Sequence, residues 1–160
     1  MSWLPDLRSL SFGSTAAILT SMGLIAGLDA ATATKGAVLG SLLIVALADN
    51  LTDSLSVHIY QESERLPERA AFRTTVMNFL ARISVSLTFV VMFAVLPTSA
   101  AVPACLVWGF LLLVSLSWLL TRDRKVQAWP EIWKHAAVAA IVILISKGVG
   151  AGILALTSAT

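Results

Sequence analysis

At 160 residues and 17.0 kDa, with 58% apolar and only 12% charged residues, the chain is too apolar for disorder. It is also poorer in charge than an ordinary soluble domain, which carries about a quarter. A single cysteine, Cys105, excludes a disulfide scaffold, and the net charge of +2 reads better loop by loop than as a basic surface for nucleic acid.

The mean hydropathy of +0.87 points to the bilayer as solvent. Runs long enough to cross a core of about 30 Å lie at 10–28, 36–60, 76–96, 103–120 and 133–156. Inside hydrocarbon every backbone group must be satisfied within its own segment, so each run is expected to be α-helical. The result is an all-α polytopic membrane protein with one transmembrane domain over 1–160, and little chain is left for a soluble domain. The connections carry turn chemistry. The segment 29–35 is short and polar, Pro67 sits among charges, Pro97 closes the third run, and Trp129-Pro130-Glu131 is a helix-start signal. The mixed-charge stretch 61–73 reads as a solvated loop or a helix extension.

Positive charge sets the expected topology. Arg8 precedes the first run, Arg65, Arg69 and Arg73 follow the second, and Arg122, Arg124, Lys125 and Lys134 join the fourth to the fifth. The opposite connections carry only Lys35. The positive-inside rule then places the N-terminus in the cytoplasm and the C-terminus outside, with Trp3, Trp129 and Trp133 near the interfaces. The first run also has the layout of a signal peptide, with Ala31-Thr32-Ala33 as a cleavage site, but its apolar part is long for one. A bacterial-type inner membrane is the default location.

Four ionisable residues fall within the runs: Asp49, Asp53, Arg82 and Lys147. Each costs at least about 2.5–3.5 kcal/mol on insertion scales and should face the bundle interior, a partner or water. Asp49 and Asp53, four apart, share a helix face with Ser56, and Asn50 and Thr52 lie beside them. Counting at 1.5 Å per residue puts Arg82 level with the two aspartates and Lys147 nearest in height to Asp49. Asn78 is one turn from Arg82. Two functions fit this set. One is a proton or cation pathway with Asp49 and Asp53 as metal ligands; the other is a structural ion-pair cluster in a non-transporting scaffold or accessory subunit.

Gly23/Gly27, Gly36/Gly40 and Gly148/Gly152 match the spacing that lets apolar helices approach closely, within one chain or between two. His58 and His135 read as interfacial residues without metal-ligand spacing, and Cys105 as a small packing residue. Met22, Met77 and Met92 read as core or lipid-facing. No Ser/His/Asp set or phosphate loop is expected from this topology, so the chain is read as a non-enzyme without a cofactor.

Arg8, then Phe12-Gly13, a glycine-rich end to the first run and the hairpin leading to Gly36 and Gly40 resemble the vacuolar iron transporter family. Five spans with the N-terminus inside is also that family's arrangement. The family's first-span pattern Phe-Gly-x-x-Asp-Gly meets Phe12-Gly13-Ser14-Thr15-Ala16-Ala17 here, without the aspartate. Its second-span pattern Ser-Met-x-x-Gly-Glu-Tyr-x-Ser meets Ala48-Asp49-Asn50-Leu51-Thr52-Asp53-Ser54-Leu55-Ser56. Asp49 thus stands for the methionine, Asp53 for the glutamate and Ser56 for the serine. The resemblance implies a proton-coupled cation transporter for a divalent metal such as iron or manganese. Exchanging thioether for carboxylate shifts such a site toward hard cations or protons. The family's cytoplasmic metal-binding helices are absent. A homodimer is implied, its first spans approaching each other at Gly23 and Gly27.

Overall fold

The structure, a computed structural model, describes residues 7–65, 67–124 and 127–159, with side chains from Gly13 onward except 123 and 124. Trp3 and Lys125 lie outside the described residues, as do the side chains of Arg8, Phe12 and Arg124. The described chain is all helical: α1 (Leu7–Ala30), α2 (Lys35–Ile44), a π turn (Val45–Asp49), α3 (Asn50–Ser63), α4 (Glu68–Val95), α5 (Thr98–Arg124) and α6 (Ala128–Ser158). Five helical segments are long and apolar enough to cross a membrane, α2, the π turn and α3 forming one of them. It is an integral membrane architecture.

The sequence explains where the helices stop. At the end of α1 the Ala33 N–H donates to Leu28 O and the Thr32 N–H to Asp29 O, the bond pair that closes a helix through a left-handed residue. That residue is Thr32, at φ 55°. Thr34 then caps α2 by accepting from the Ala37 N–H at 3.2 Å. Lys35, the one basic residue expected on this side, donates to Ala94 O and Leu96 O, both at 2.8 Å. It satisfies carbonyls that α4 leaves open at its C-terminus and ties the second span to the fourth helix.

Several limits differ from the sequence expectation. The third span begins at Glu68 rather than 76, because Pro67 starts the helix and the charged residues after it form an exposed extension. The fourth begins at Thr98 rather than 103: Pro97 O accepts from Ala100 and Ala101, and Pro103 is carried inside the helix.

Helix α1 runs through the middle, packed on α4, α5 and α6, while α3 packs on α4. Its Ile18, Met22 and Ile25 join Phe89 and Phe93 of α4, Cys105 and Leu113 of α5 and Val38 and Leu42 of α2 in one apolar core. Met22 presses its sulfur on Gly109 and is a packing residue. Gly23 faces Val142 and Ser146 of α6, Gly27 faces the Ser146 carbonyl, and Gly150 lies against the Gly27 carbonyl. This corrects the expectation for Gly23 and Gly27: they admit α6 of the same chain, so a second first span cannot occupy them. Gly36, Gly40, Gly148 and Gly152 have nothing within 4 Å of where a Cβ would stand, so they make no close helix contact inside the chain.

Candidate functional site

The buried side chains of the second span repeat every fourth residue: Val38, Leu42, Ala46, Asn50 and Ser54. On an α-helix such a stripe drifts by about 40° per step, because four residues exceed one turn. The π turn at Val45–Asp49 underwinds the helix locally and helps keep the stripe toward α4. Asn50 follows the turn directly. Its Nδ2 donates to Ala46 O at 2.6 Å, and its Oδ1 accepts from Arg82 Nε at 2.8 Å.

Arg82 is the centre of the cluster, with only 2% of its side chain exposed. Its Nη2 donates to Asp49 Oδ2 at 2.7 Å and its Nη1 to Asp53 Oδ2 at 2.9 Å. The guanidinium is thus engaged through three nitrogens by residues on two successive turns, with the short distances of charge-assisted bonds. From one turn away on α4, Asn78 Nδ2 reaches Asp53 Oδ2 and Ser54 Oγ, both at 3.4 Å. Its buried Oδ1 has no hydrogen-bond partner among the described residues and packs on Gly13 of α1. Gly13 is what lets α1 close over the cluster, since a Cβ there would also meet Arg82 Cγ at 2.9 Å. Two carboxylates and one guanidinium leave the cluster with one surplus negative charge. The carboxylates lie toward its open edge, Asp49 48% and Asp53 30% exposed.

The expected site residues therefore divide. Asp49, Asn50, Asp53 and Arg82 come together, joined by Asn78 and by Ser54, which sequence reasoning passed over. Ser54 was findable as the next step of the every-fourth-residue stripe. Ser56 is exposed and donates to Thr52 O at 2.9 Å, one turn back on its own helix, so it stands apart. Lys147 is also apart, which corrects its expected height beside Asp49. The contacts of Gly23 with Val142, Gly27 with Ser146 and Gly150 with Ala31 fix the register of α6 on α1. They put Lys147, exposed, within about a turn of the α1–α2 corner, whereas Asp49 lies about 21 Å down the helix from Lys35. For a metal, the carboxylates offer a pair already facing a guanidinium. Among the described residues no three His, Cys, Asp or Glu side chains converge.

Both histidines make contacts that spacing did not reveal. His58 Nδ1 lies 3.2 Å from Thr75 Oγ1, and its Nε2 lies 3.5 Å from Glu62 Oε1. His135 Nδ1 lies 2.6 Å from Ser117 Oγ, a serine–histidine pair that the sequence reading did not expect. Ser117 is buried and donates its proton to Leu113 O at 2.6 Å, so it is a satisfied helix hydroxyl, not a poised nucleophile. Compared with known proteins, the chain matches no family model, no curated protein and no solved structure.

Proposed function

We propose that the protein is a membrane transporter of a cation, a divalent metal or protons, in which Asp49 and Asp53 carry the ion and exchange it against Arg82. One observation carries this reading: a carboxylate about 21 Å below the end of its span is nearly half exposed, although lipid chains are no environment for it. Its open side calls for water or a second protomer, as an ion path would supply. The surplus negative charge fits a proton or metal that binds one carboxylate while Arg82 holds the other. Such competition couples proton and cation naturally. The match of Asp49 and Asp53 to two functional positions of the vacuolar iron transporter pattern supports the same reading. We take the chain as a divergent relative working as a homodimer in a bacterial-type inner membrane. Because α6 covers Gly23 and Gly27, the dimer would use other faces, and the outward Gly36/Gly40 and Gly148/Gly152 pairs suit close approach.

The experiment is a flux screen on purified protein in liposomes with pH- and metal-sensitive dyes. Asp49→Asn with Asp53→Asn should abolish the flux; unaltered flux would remove the aspartates from the path. The threefold engagement of Arg82 favours a second reading, a non-transporting scaffold or accessory subunit. It predicts silent liposomes and a stable partner on isolation in mild detergent.

A further inference from the structure

Between α5 and α6, close to the turn that joins them, lies a cavity of about 460 Å³. Ser117 and Thr121 of α5 and Gln127, Glu131 and His135 of α6 line it, and among the described residues only Leu120 and Pro130 are apolar there. None of these residues belongs to the Arg82 cluster. The hydroxyl protons on its wall are already spent. Ser117 Oγ donates to Leu113 O at 2.6 Å, and Thr121 Oγ1 donates to the carbonyls of Ser117 and Trp118, both at 2.9 Å. Both side chains are buried, so what they can offer the cavity is lone pairs. The 2.6 Å contact between Ser117 Oγ and His135 Nδ1 then settles the ring. Serine has one proton and has given it to Leu113, so Nδ1 carries hydrogen and donates to Ser117. In the neutral ring Nε2 keeps its lone pair, and it has no hydrogen-bond partner among the described residues. Glu131 stands one turn before His135 on the same face of α6, where Cβ atoms are about 5–6 Å apart. Its carboxylate already draws a cation: Lys134 Nζ lies 2.9 Å from Oε1. That lysine is 69% exposed, and so open a pair holds little and exchanges readily. The cavity is a gathering of acceptors.

We infer that His135 and Glu131 bind a divalent transition-metal ion in this cavity, at a site separate from Asp49 and Asp53. A neutral imidazole beside a carboxylate is a donor pair for the borderline ions zinc, nickel, cobalt and copper, whereas magnesium and calcium prefer oxygen alone. Donors four apart on a helix face meet one metal, as they do in helical zinc sites. Ser117 does what the partner of a metal-binding histidine does: it takes the ring's other N–H and fixes which nitrogen faces the ion. Its own bond to Leu113 O anchors that orientation to α5. Because no three His, Cys, Asp or Glu side chains converge among the described residues, the chain supplies two strong donors. The neutral oxygens of Thr121 and Gln127 and water complete the shell. Such a site stays open and exchanges its ion, unlike the closed four-ligand sites that hold zinc for structure. On binding, the metal displaces Lys134 from the carboxylate. The inference is independent of the transport reading, since it uses neither aspartate nor Arg82.

The test titrates the full chain, purified without a histidine tag and with Cys105→Ala to remove the thiol, with Cu²⁺ and follows it by electron paramagnetic resonance. The bound copper should show coupling to one imidazole nitrogen. His135→Gln keeps an N–H for Ser117 but has no imidazole. It should lose the coupling and bind at least about ten-fold more weakly. Glu131→Gln, a change at the half-exposed rim that leaves the fold intact, should weaken binding about ten-fold while the nitrogen coupling remains. Ser117→Ala should weaken it by a similar factor, because the ring is no longer held. His58→Gln, which removes the other of the two histidines, should leave the signal as it is. So should Asp49→Asn with Asp53→Asn, and in that variant the copper signal and the loss of flux are read separately. Imidazole coupling that persists in His135→Gln, or that disappears in His58→Gln, overturns the site. Equal affinity in the parent and Glu131→Gln removes the carboxylate from it and overturns the pairing. Binding abolished by the two aspartate changes would assign the metal to the Arg82 cluster instead.

Discussion

Arg82 uses three of its nitrogens in three directions: Nε to Asn50, Nη1 to Asp53 and Nη2 to Asp49. A lysine ammonium is a point charge on a flexible stem and cannot fill that fork, so Arg82→Lys should lose most of the stability lost in Arg82→Ala. Breaking one side of a buried pair typically costs about 3–5 kcal/mol, whereas removing both sides is nearer neutral. Arg82→Ala combined with Asp53→Ala should therefore melt higher than the two separate losses sum to. The coupling should exceed that with Asp49→Ala, because Asp53 is the less exposed partner and is also held by Asn78. Thermal-shift measurements in detergent decide this, and merely additive losses in both pairs would mean the ion pairs stabilise nothing. Gly13 gives a test from the neighbouring helix. Gly13→Ala drives a methyl onto Asn78 and Arg82, and overpacking of this kind costs about 1–3 kcal/mol.

At the scale of elements, the apolar runs announced the spans, since a bilayer demands length and apolarity together. Their ends were less visible. The start of α4 is polar and exposed, so hydropathy alone stops short of it. Pro103 reads as a boundary in one dimension, but α5 carries it inside the helix, past its first turn, as membrane helices tolerate. The π turn had no residue signature, because underwinding answers a packing need that arises only once α4 is in place. That Arg82 lies level with the two aspartates was legible from spacing and depth, because α3 and α4 adjoin in sequence and share a short turn, but that it engages both at once was not. Lys147 was misplaced because depth counted from its own helix start ignores how α6 slides on α1, which Gly27 and Gly150 decide. Two substitutions test these elements. Thr32→Gly relieves a β-branched residue at φ 55° and should raise stability by about 1 kcal/mol in a melting assay. Gly150→Ala should destabilise by forcing α6 off the Gly27 carbonyl, whereas Gly148→Ala on the open face should not. Equal effects would show that the α1–α6 register is different.

For the whole molecule, we propose that the basic connections face the cytoplasm, which with five spans puts the N-terminus inside and the C-terminus outside. Ser99→Cys should then be labelled from outside intact cells, and Gln127→Cys only after permeabilisation. The reverse pattern would turn the α3–α4 contact toward the exterior. The transport proposal rests on the surplus charge of the cluster and on the exposed edge of Asp49. The measurement that meets this most directly follows internal pH in proteoliposomes as a manganese gradient is imposed, comparing the wild type with Asp49→Asn/Asp53→Asn at matched thermal stability. Exchange through the carboxylates predicts a manganese-driven pH change in the wild type and none in the double variant. A pH change of the same size in both would contradict it.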